Sequence, residues 1–259
     1  MKVYISTDME GISGVVTFKQ TGRDEQGAEY EKARHLLTAD VNAAVEGALS
    51  AGAQEIVVMD GHGGGHHFII EELHPAGRYI IGPVRIQAIP KLDESFDAML
   101  LVGYHAMAGT RRAILDHTQS STTWYNYFLN GIKMGEIGQG AVIAGHYGIP
   151  VVFVSGDKAA CEEARDLLGD IEVASVKEGL TRTCAEILPP VKAREIIKSG
   201  VTRALKRLPE FKPYLIKTPI EIRLETQNTD VADGYESAGW KRIDGRAVTR
   251  IVQSALEIL

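Results

Sequence analysis

Carboxylate and imidazole side chains follow the predicted strands of this chain at the points where those strands end. Asp8 and Glu10 come directly after the first predicted strand, and their spacing of two places both carboxylates on one face if the strand continues. His62 follows the second predicted strand, His105 follows the third, and Glu136 lies further along the chain. Carboxylate and imidazole donors without thiolates are typical of catalytic sites for divalent metals. The sequence therefore predicts a metal site that polarises water or a carbonyl group.

This set of donors is large enough for two metal ions. A pair of ions about 3.5–4 Å apart usually needs one shared carboxylate and further ligands for each ion. Asp8 suits the shared position, with Glu10 and His62 on one ion and His105 and Glu136 on the other. Each residue also has a simpler interpretation, because an acid at a strand end often forms a turn or caps a helix. A single histidine, likewise, is often a polar group of the surface or core. The convergence of donors at three strand ends favours the metal site.

His117 lies after the third predicted strand and has no predicted metal partner of its own. An imidazole exchanges protons near neutral pH, so His117 is a candidate general base or nucleophile beside the metals. The alternative is a solvent-facing histidine in a loop.

A glycine-rich segment, residues 60–65, surrounds His62 and begins with Asp60. Such a segment can bind phosphate at the N-terminus of a helix. This one matches neither the dinucleotide fingerprint nor the nucleotide-binding lysine motif. Glycines that let the backbone pass close to a metal or a substrate are the favoured interpretation. We expect the histidines outside the donor set to be exposed or structural: His66 and His67 exposed, and His35, His74 and His146 structural or at the surface.

Strand, helix and strand alternate in the first part of the chain. Apolar residues recur near helical spacing over residues 29–49, and all-apolar runs at 56–59 and 98–102 are typical of strands covered on both faces. This succession predicts right-handed parallel crossovers, with the strands ending at the edge of the sheet where α/β proteins bind ligands. We therefore predict an α/β fold with a mainly parallel sheet flanked by helices.

The later part of the chain predicts departures from this alternation. Residues 118–136 have the pattern of a hairpin around Asn130-Gly131, which we expect to be inserted into the active edge of the sheet. The remaining predicted elements are helices at 137–147 and 157–168, strands at 149–155 and 173–176, a basic amphipathic helix from Pro189 to about 208, a strand at 216–224 and a final helix at 244–258. We predict an α/β metal-binding catalytic domain, residues 1–188, and a smaller C-terminal α+β part, residues 189–259.

Composition excludes several classes of protein. The 259 residues include 28 Lys and Arg against 34 Asp and Glu, a net charge of −6, with no concentrated basic run, so no nucleic-acid-binding surface is expected. The longest apolar runs are too short to span a bilayer and no signal peptide pattern is present, so we expect a cytoplasmic protein that does not interact with membranes. Cys161 and Cys184 lack metal spacing and are expected to be reduced structural thiols.

Several short motifs occur together in a fixed order over the first 140 or so residues. The ordered set resembles the zinc-dependent D-aminopeptidases of the DppA type, with looser similarity through the C-terminal part. The motifs are Ser6-Thr7-Asp8-Met9-Glu10-Gly11-Ile12-Ser13-Gly14, Asp60-Gly61-His62, Leu73-His74-Pro75, Gly103-Tyr104-His105-Ala106, Asp116-His117-Thr118 and Gly135-Glu136-Ile137-Gly138.

The resemblance implies a metallo-aminopeptidase with two zinc ions per subunit that removes N-terminal residues, of D configuration in the type member, from short peptides. By motif position Asp8 corresponds to the bridging carboxylate, Glu10 and His62 to ligands of one zinc, and His105 and Glu136 to ligands of the other. His117 corresponds to the catalytic histidine, described as a nucleophile. Asp60 would be a further ligand or a carboxylate that orients the His62 imidazole. Family members form rings, so the resemblance implies a homo-oligomer, with a decamer of two stacked pentamers as the expected assembly.

The sequence departs from the family pattern beside the substrate. The glycine triplet with His66-His67, and a slightly longer route before His117, leave open an L-specific aminopeptidase or an amidase of the same family. Two hypotheses from other classes are a phosphate- or nucleotide-binding protein that hydrolyses nothing, and a metal-storage or scaffold protein. Neither requires hard ligands at several strand ends, which favours the peptidase.

Overall fold

The structure is a computed structural model that describes residues 1–22 and 27–259. Its strands are β1 (Lys2–Thr7), β2 (Glu55–Asp60), β3 (Arg78–Ile80), β4 (Ala98–Tyr104), β5 (Trp124–Leu129), β6 (Ile132–Lys133), β7 (Val151–Asp157), β8 (Glu172–Thr181), β9 (Cys184–Ile187), β10 (Ile220–Thr226), β11 (Lys241–Arg242) and β12 (Ala247–Val252). Its α-helices are α1 (Ala28–Ser50), α2 (Glu136–His146), α3 (Lys158–Leu168), α4 (Pro190–Lys206) and α5 (Thr229–Ser237).

The larger sheet has the strand order β3-β2-β1-β4-β7-β8-β9. Neighbouring strands pair in parallel from β3 to β8, and only the edge strand β9 is antiparallel among these. Side chains of β1 alternate between two cores, as the pleat of a strand requires. Val3 and Ile5 pack with residues of α1 and α4, while Tyr4 packs with residues of α2 and the second sheet. The predicted α/β class with a mainly parallel sheet flanked by helices is confirmed.

The first strand-helix-strand unit, β1-α1-β2, has the predicted form, and its two strands end at the same edge of the sheet. Helix α1 extends one residue beyond the predicted range at each end. Thr7, the last residue of β1, pairs with Asp60 of β2 and with Val102 of β4. The carboxyl ends of these three strands are therefore level to within two residues, because β4 continues to Tyr104, and the segments that follow them lie at one edge of the sheet.

The hairpin at Asn130-Gly131 exists, but its position differs from the prediction. Strands β5 and β6 belong to a second, antiparallel sheet with the order β11-β12-β10-β5-β6, rather than to the edge of the parallel sheet. The hairpin is also shorter than predicted, because Glu136 begins helix α2. Local turn residues predict a hairpin, whereas its partner strand β10 is almost a hundred residues away and cannot be identified from the turn.

The predicted final helix at 244–258 is wrong. Residues 247–252 form β12, which pairs with β10, and only a short 3-10 turn, Ala255–Glu257, follows. Val248, Val252 and Ala255 are buried, and their spacing fits a helix as well as it fits a strand followed by a turn. The β-branched residues of this segment favour a strand when a pairing partner is present. Asp244 accepts a hydrogen bond from the Arg246 N–H in the turn before β12, at 2.8 Å, instead of capping a helix.

Helix α4 covers the larger sheet together with α1. Ala193, Ile197 and Val201 of α4 are buried in the core that also contains Val3 and Ile5. Residues on both sides of position 188 therefore contribute to one core, and the domain boundary near that position stays a prediction. Among the described residues no helix combines the length and apolar character needed to cross a membrane.

The two cysteines are free, as predicted. Cys161 is buried in α3 and Cys184 is exposed in β9. Burial raises the pKa of the Cys161 thiol to about 12, so this thiol is protonated and unreactive near neutral pH.

Gly103 allows the end of β4 to pass against the segment that follows β1. Its φ is +79°, and a Cβ at this position would lie 2.3 Å from the carbonyl oxygen of Asp8. We expect Gly103→Ala to lower the free energy of unfolding by about 2–5 kcal/mol, because it combines a left-handed backbone with a backbone clash. Gly148 is the matched control, since its φ is +75° and no atom lies within 4 Å of the added Cβ. Gly148→Ala should cost only about 1–2 kcal/mol. Equal losses in urea unfolding would contradict the role of the close approach.

Candidate metal centre

The five predicted donors converge at the carboxyl edge of the parallel sheet. Asp8 directly follows β1, and Glu10 lies in the turn after it. His62 lies two residues beyond β2, and His105 directly follows β4. Glu136 is the first residue of α2, where the helix dipole favours a carboxylate. The level ends of β1, β2 and β4 thus bring together side chains from distant parts of the sequence.

The Asp8 carboxylate lies between two pairs of side chains. On one side, His62 Nδ1 is 3.0 Å from Asp8 Oδ1 and 3.1 Å from Glu10 Oε2. On the other side, His105 Nε2 is 3.2 Å from Asp8 Oδ2 and 3.3 Å from Glu136 Oε1. Each oxygen of the Asp8 carboxylate therefore contacts a different imidazole, and each imidazole also contacts a different glutamate.

Several polar atoms of this cluster are buried without a hydrogen-bond partner. They are Asp8 Oδ2, Glu10 Oε2 and His105 Nε2. A buried carboxylate oxygen without a partner is unfavourable by several kcal/mol in an apolar medium, about 2–7 kcal/mol for comparable polar groups. A cation held among these atoms would satisfy all of them at once. The donor chemistry, hard oxygen and imidazole nitrogen, fits zinc or a similar divalent ion.

The electrostatics of the cluster are those of carboxylates paired with imidazolium groups when no metal is bound. Burial opposes ionisation of Asp8, but the neighbouring His105 and His62 imidazoles outweigh it and hold the pKa of Asp8 well below its usual value. Burial alone would lower the pKa of His62, but the charge of Glu10 and the hydrogen bond to Asp8 raise it well above the usual value. The pKa of His105 is raised in the same way against its own burial, chiefly by the charge of Glu136. A metal would therefore replace protons on these imidazoles.

The histidines share one orientation relative to the cluster. In each, the outer ring nitrogen donates to a backbone carbonyl: His62 Nε2 to Thr21 at 3.0 Å, His105 Nδ1 to Ala106 at 3.0 Å and His117 Nδ1 to Leu115 at 2.8 Å. A carbonyl oxygen can only accept, so the outer nitrogen carries the proton. The inner nitrogen of each ring faces the cluster and presents a lone pair there once it carries no proton, as in metal-binding histidines.

His117 lies against the second half of the cluster. Its ring stacks on the His105 ring, with the centroids 4.0 Å apart and the planes inclined by 12°. His117 Nε2 is 3.9 Å from Glu136 Oε1, further than the contacts between the other donors. Donor atoms of His105, His117 and Glu136 lie within 4.8 Å of one another, as do those of Asp8, Glu10 and His105. His117 is therefore at the edge of the cluster and partly buried, and it is not a solvent-facing loop residue.

The loop that carries His117 is held in a specific backbone conformation. Leu115 has a φ of +53°, and the side chain of Arg182 donates to both the Asp116 carboxylate and the Asp116 carbonyl, at 2.9 and 2.7 Å. These contacts fix the residue that precedes His117. The sequence motif did not identify Arg182, because it lies between β8 and β9, far along the chain.

Asp60 and His67 contact each other beside His62. Asp60 is fully buried and accepts the N–H of His67 at 2.5 Å, and the outer nitrogen of the His62 ring bonds the Thr21 carbonyl. The role of Asp60 as a further ligand or as a carboxylate that orients the His62 imidazole stays a prediction. The prediction that His67 is exposed is wrong, since it is only 6% exposed and its Nδ1 bonds the Tyr30 hydroxyl at 2.8 Å. Burial and the neighbouring His62 lower the pKa of His67 to about 3, which keeps this ring neutral.

The glycine-rich segment does not form a phosphate-binding loop at a helix N-terminus. After β2 the chain continues through turns to a 3-10 turn, Ile70–Glu72, and no α-helix begins between residues 61 and 97. The segment instead forms one wall of a cavity of about 620 Å³ that opens on the donors, with Phe18, Tyr30, His117 and Thr122 among its other lining residues. A cavity of this size suits a small-molecule or short-peptide ligand.

Glu163 of α3 supports the segment that follows His105. Its Oε2 accepts the Met107 N–H at 2.7 Å, and burial raises the pKa of Glu163 from 4.5 to about 7. The folded state therefore holds this proton more tightly than the unfolded state, and its contribution to stability is lost as the pH rises from 4.5 through about 7. We expect the stability of Glu163→Gln relative to the unsubstituted protein to rise between about pH 5 and about pH 8, measured by urea unfolding. Glu162→Gln, on the exposed side of α3, should show no such change.

The fold and the donor set define a class: a metal-dependent hydrolase with its site at the carboxyl edge of a parallel sheet. Comparison with known proteins identifies the family. The family model described as D-aminopeptidase matches residues 1–259. The D-aminopeptidase of Bacillus subtilis (strain 168) is 33% identical over 246 residues, which cover 94% of this chain and 85% of that protein. The solved structure of the Zn-dependent D-aminopeptidase DppA from Bacillus subtilis, a self-compartmentalizing protease, superposes with a TM-score of 0.95 and 30% identity over 100% of this chain and 94% of that one.

The chain belongs to the D-aminopeptidase family, a family of peptide hydrolases. The resemblance that the ordered motifs indicated is thereby confirmed, and with it the prediction of an enzyme.

Proposed function

We propose that the protein is a zinc-dependent aminopeptidase that removes the N-terminal residue, of D configuration, from short peptides or amides. The observation that carries the proposal is the Asp8 carboxylate, whose two oxygens face two separate imidazole and glutamate pairs. The zinc dependence named for the similar Bacillus subtilis enzyme agrees with this donor chemistry. Two zinc ions per subunit would account for both halves of the cluster.

The residues have separate roles in this proposal. Asp8 would hold both ions, Glu10 and His62 would hold one of them, and His105 and Glu136 would hold the other. Asp60 holds the backbone of the loop after β2 by accepting the His67 N–H, and the Thr21 carbonyl accepts the proton of His62 Nε2. His117 is the catalytic residue. Zinc bound at this site would act as a Lewis acid on the scissile carbonyl and stabilise the charge that develops on its oxygen.

His117 supplies the nitrogen lone pair that the reaction needs. The Leu115 carbonyl holds the proton on Nδ1, and stacking on His105 fixes the plane of the ring. Nε2 therefore faces the cluster, where it either attacks the scissile carbonyl carbon or takes a proton from the attacking water. Both roles use the same lone pair and the same orientation of the ring.

We also propose that the protein is a homo-oligomer, with a decameric ring as the expected assembly. The similar Bacillus subtilis structure is described as a self-compartmentalizing protease. In this chain Val84 and Ile86 are 95% and 103% exposed in the loop that borders the site, and we propose that they contact another subunit. Mass measurement by light scattering tests this proposal, and a monomer at micromolar concentration contradicts it.

The function is tested with matched substrates. Metal-free and zinc-loaded protein are each incubated with D-alanyl-D-alanine, L-alanyl-L-alanine and the two alaninamides, and release of the N-terminal residue is measured. We expect release from the D substrates only with zinc present. Preferential release from the L substrates would assign the protein to an L-specific aminopeptidase or amidase. Equal rates with and without zinc would reject a metallo-aminopeptidase.

A further inference from the structure

Lys177 of β8 is a buried lysine that serves the loop following β1. The side chain is only 2% exposed, and its ammonium group donates to the carbonyl oxygens of Glu10, Ile12 and Val15 at 2.5, 2.8 and 2.5 Å. A lysine ammonium has three N–H donors and no acceptor, so these contacts use its full capacity. One side chain thus binds the segment 10–15 at three points.

The segment that Lys177 binds carries a proposed zinc ligand. Strand β8 is separated from β1 by β4 and β7 in the sheet, so the segment must cross the carboxyl edge of the sheet to reach Lys177. On the way, the Gly11 N–H donates to the Gly103 carbonyl at 2.8 Å. Because the carbonyl of Glu10 itself is bound, Lys177 restricts the direction in which the Glu10 side chain leaves the backbone.

A second buried group holds the same segment. Asp40 of α1 is fully buried and accepts both the N–H and the hydroxyl of Ser13, each at 2.9 Å. Asp157 is also fully buried, and its charge, like that of Asp40, acts on Lys177. The Asp157 carboxylate accepts the Ile114 N–H at 2.9 Å, in the loop that leads to His117. Lys177 and the two buried carboxylates near it therefore bind two segments of the site. These are the 10–15 segment, which carries Glu10, and the loop that leads to His117.

Stability alone does not explain a buried lysine at this position. Removing an ammonium group from water is unfavourable, and an apolar side chain of similar volume is often as stabilising as a buried ionic group or more so. The three carbonyls that Lys177 binds belong to a single irregular segment outside both sheets. The lysine gives this segment one conformation.

We propose that Lys177 is a positioning residue for the metal site: it holds the 10–15 segment so that the Glu10 carboxylate meets the His62 imidazole. The inference rests on the proposed function, in which Glu10 and His62 bind one zinc ion. It assigns Lys177 no contact with substrate or metal. Its effect is transmitted through the backbone of Glu10.

The test is a zinc titration by calorimetry on the full-length protein. Lys177→Met retains the length of the side chain and removes the three donors. We expect it to weaken zinc binding at one of the two sites by about 10- to 100-fold, the effect that is usual when a group supporting a metal ligand is removed. The other site should keep its affinity. Lys158→Met is the matched control, since Lys158 is exposed on α3 and pairs with Glu178, and it should leave both affinities unchanged.

A double-mutant cycle separates positioning of Glu10 from a general loss of structure. In the Glu10→Gln background, Lys177→Met should weaken zinc binding little further, because the ligand that it positions is already gone. In the Glu136→Gln background, its full effect should remain. Additive losses in both backgrounds would overturn the inference, as would unchanged zinc affinity in a folded Lys177→Met protein.

Folding of each variant is checked by circular dichroism and urea unfolding. If Lys177→Met does not fold, Lys177→Gln, whose shorter side chain is uncharged and has two N–H donors in place of three, replaces it in the cycle. If neither variant folds, Lys177 serves stability alone and the inference is rejected. Zinc binding by the unsubstituted protein distinguishes failure of the proposed function from failure of this inference. If the unsubstituted protein binds no zinc, the proposed function fails. If it binds zinc and Lys177→Met binds zinc equally well, only this inference is rejected.

Discussion

Replacing His117 with alanine is expected to lower kcat by at least about 10³-fold while two zinc ions per subunit remain bound. The physical reason is the position of the ring. His117 Nε2 faces the cluster but lies 3.9 Å from the nearest carboxylate oxygen, whereas the proposed ligand histidines lie 3.0 to 3.3 Å from theirs. Its removal takes away a lone pair that acts on the substrate and leaves the proposed ligands in place.

The measurement compares kcat for a D-dipeptide with zinc content determined by atomic absorption. His146→Ala is the control, because His146 is exposed at the end of α2, and it should match the unsubstituted protein in both quantities. Loss of a zinc ion together with activity in His117→Ala would show that His117 is a ligand. The structure suggests this alternative, because the donor atoms of His105, His117 and Glu136 lie within 4.8 Å of one another.

The second large effect is expected for Asp8→Asn, which should lose both zinc ions and, with them, at least about 10³-fold in kcat. Asn has the same shape but no charge, and only one of its two terminal atoms can accept a metal. Since each oxygen of Asp8 faces a different half of the cluster, neither half retains its full set of donors.

Glu136→Gln is the comparison that distinguishes a ligand shared by two ions from a ligand of one ion. It alters only the half that contains His105, so one zinc ion should remain bound. Asp166→Asn, at an exposed position of α3, is the neutral control and should bind two. An Asp8→Asn protein that still binds one zinc ion as tightly as before would show that Asp8 belongs to a single ion.

Much of the parallel half of the fold was predictable because its signals are local. All-apolar runs of four or five residues identify β2 and β4 as strands covered on both faces, and helical spacing over residues 29–49 identifies α1. The rule that parallel strands end at one edge then brings Asp8, His62 and His105 together without any coordinates. The structure agrees, because the register of β1 with β2 and β4 is level at Thr7.

The antiparallel half was not predictable in the same way, since its strands depend on partners distant in the sequence. Nothing near Asn130-Gly131 shows that β5 pairs with β10, and nothing near Asp244 shows that residues 247–252 pair with β10 on its other side. In this segment the spacing of apolar residues is compatible with either a helix or a strand. Tertiary pairing determines the outcome.

The supporting residues of the site were the least accessible to sequence analysis. Lysines are rarely buried, so Lys177 looks like any surface lysine of a strand. His67 follows His66 and three glycines and looks exposed, yet Tyr30 and Asp60 enclose it. Residue types that suit metal chemistry can be recognised from the sequence, whereas the groups that hold them in place are recognised only from the fold.

The central claim is that Asp8 lies between two zinc ions, and anomalous diffraction from crystals of the zinc-loaded protein tests it most directly. The account predicts two peaks at the zinc edge, one beside Glu10 and His62 and one beside His105 and Glu136, with the Asp8 carboxylate between them. A single peak, or peaks away from these side chains, would contradict it.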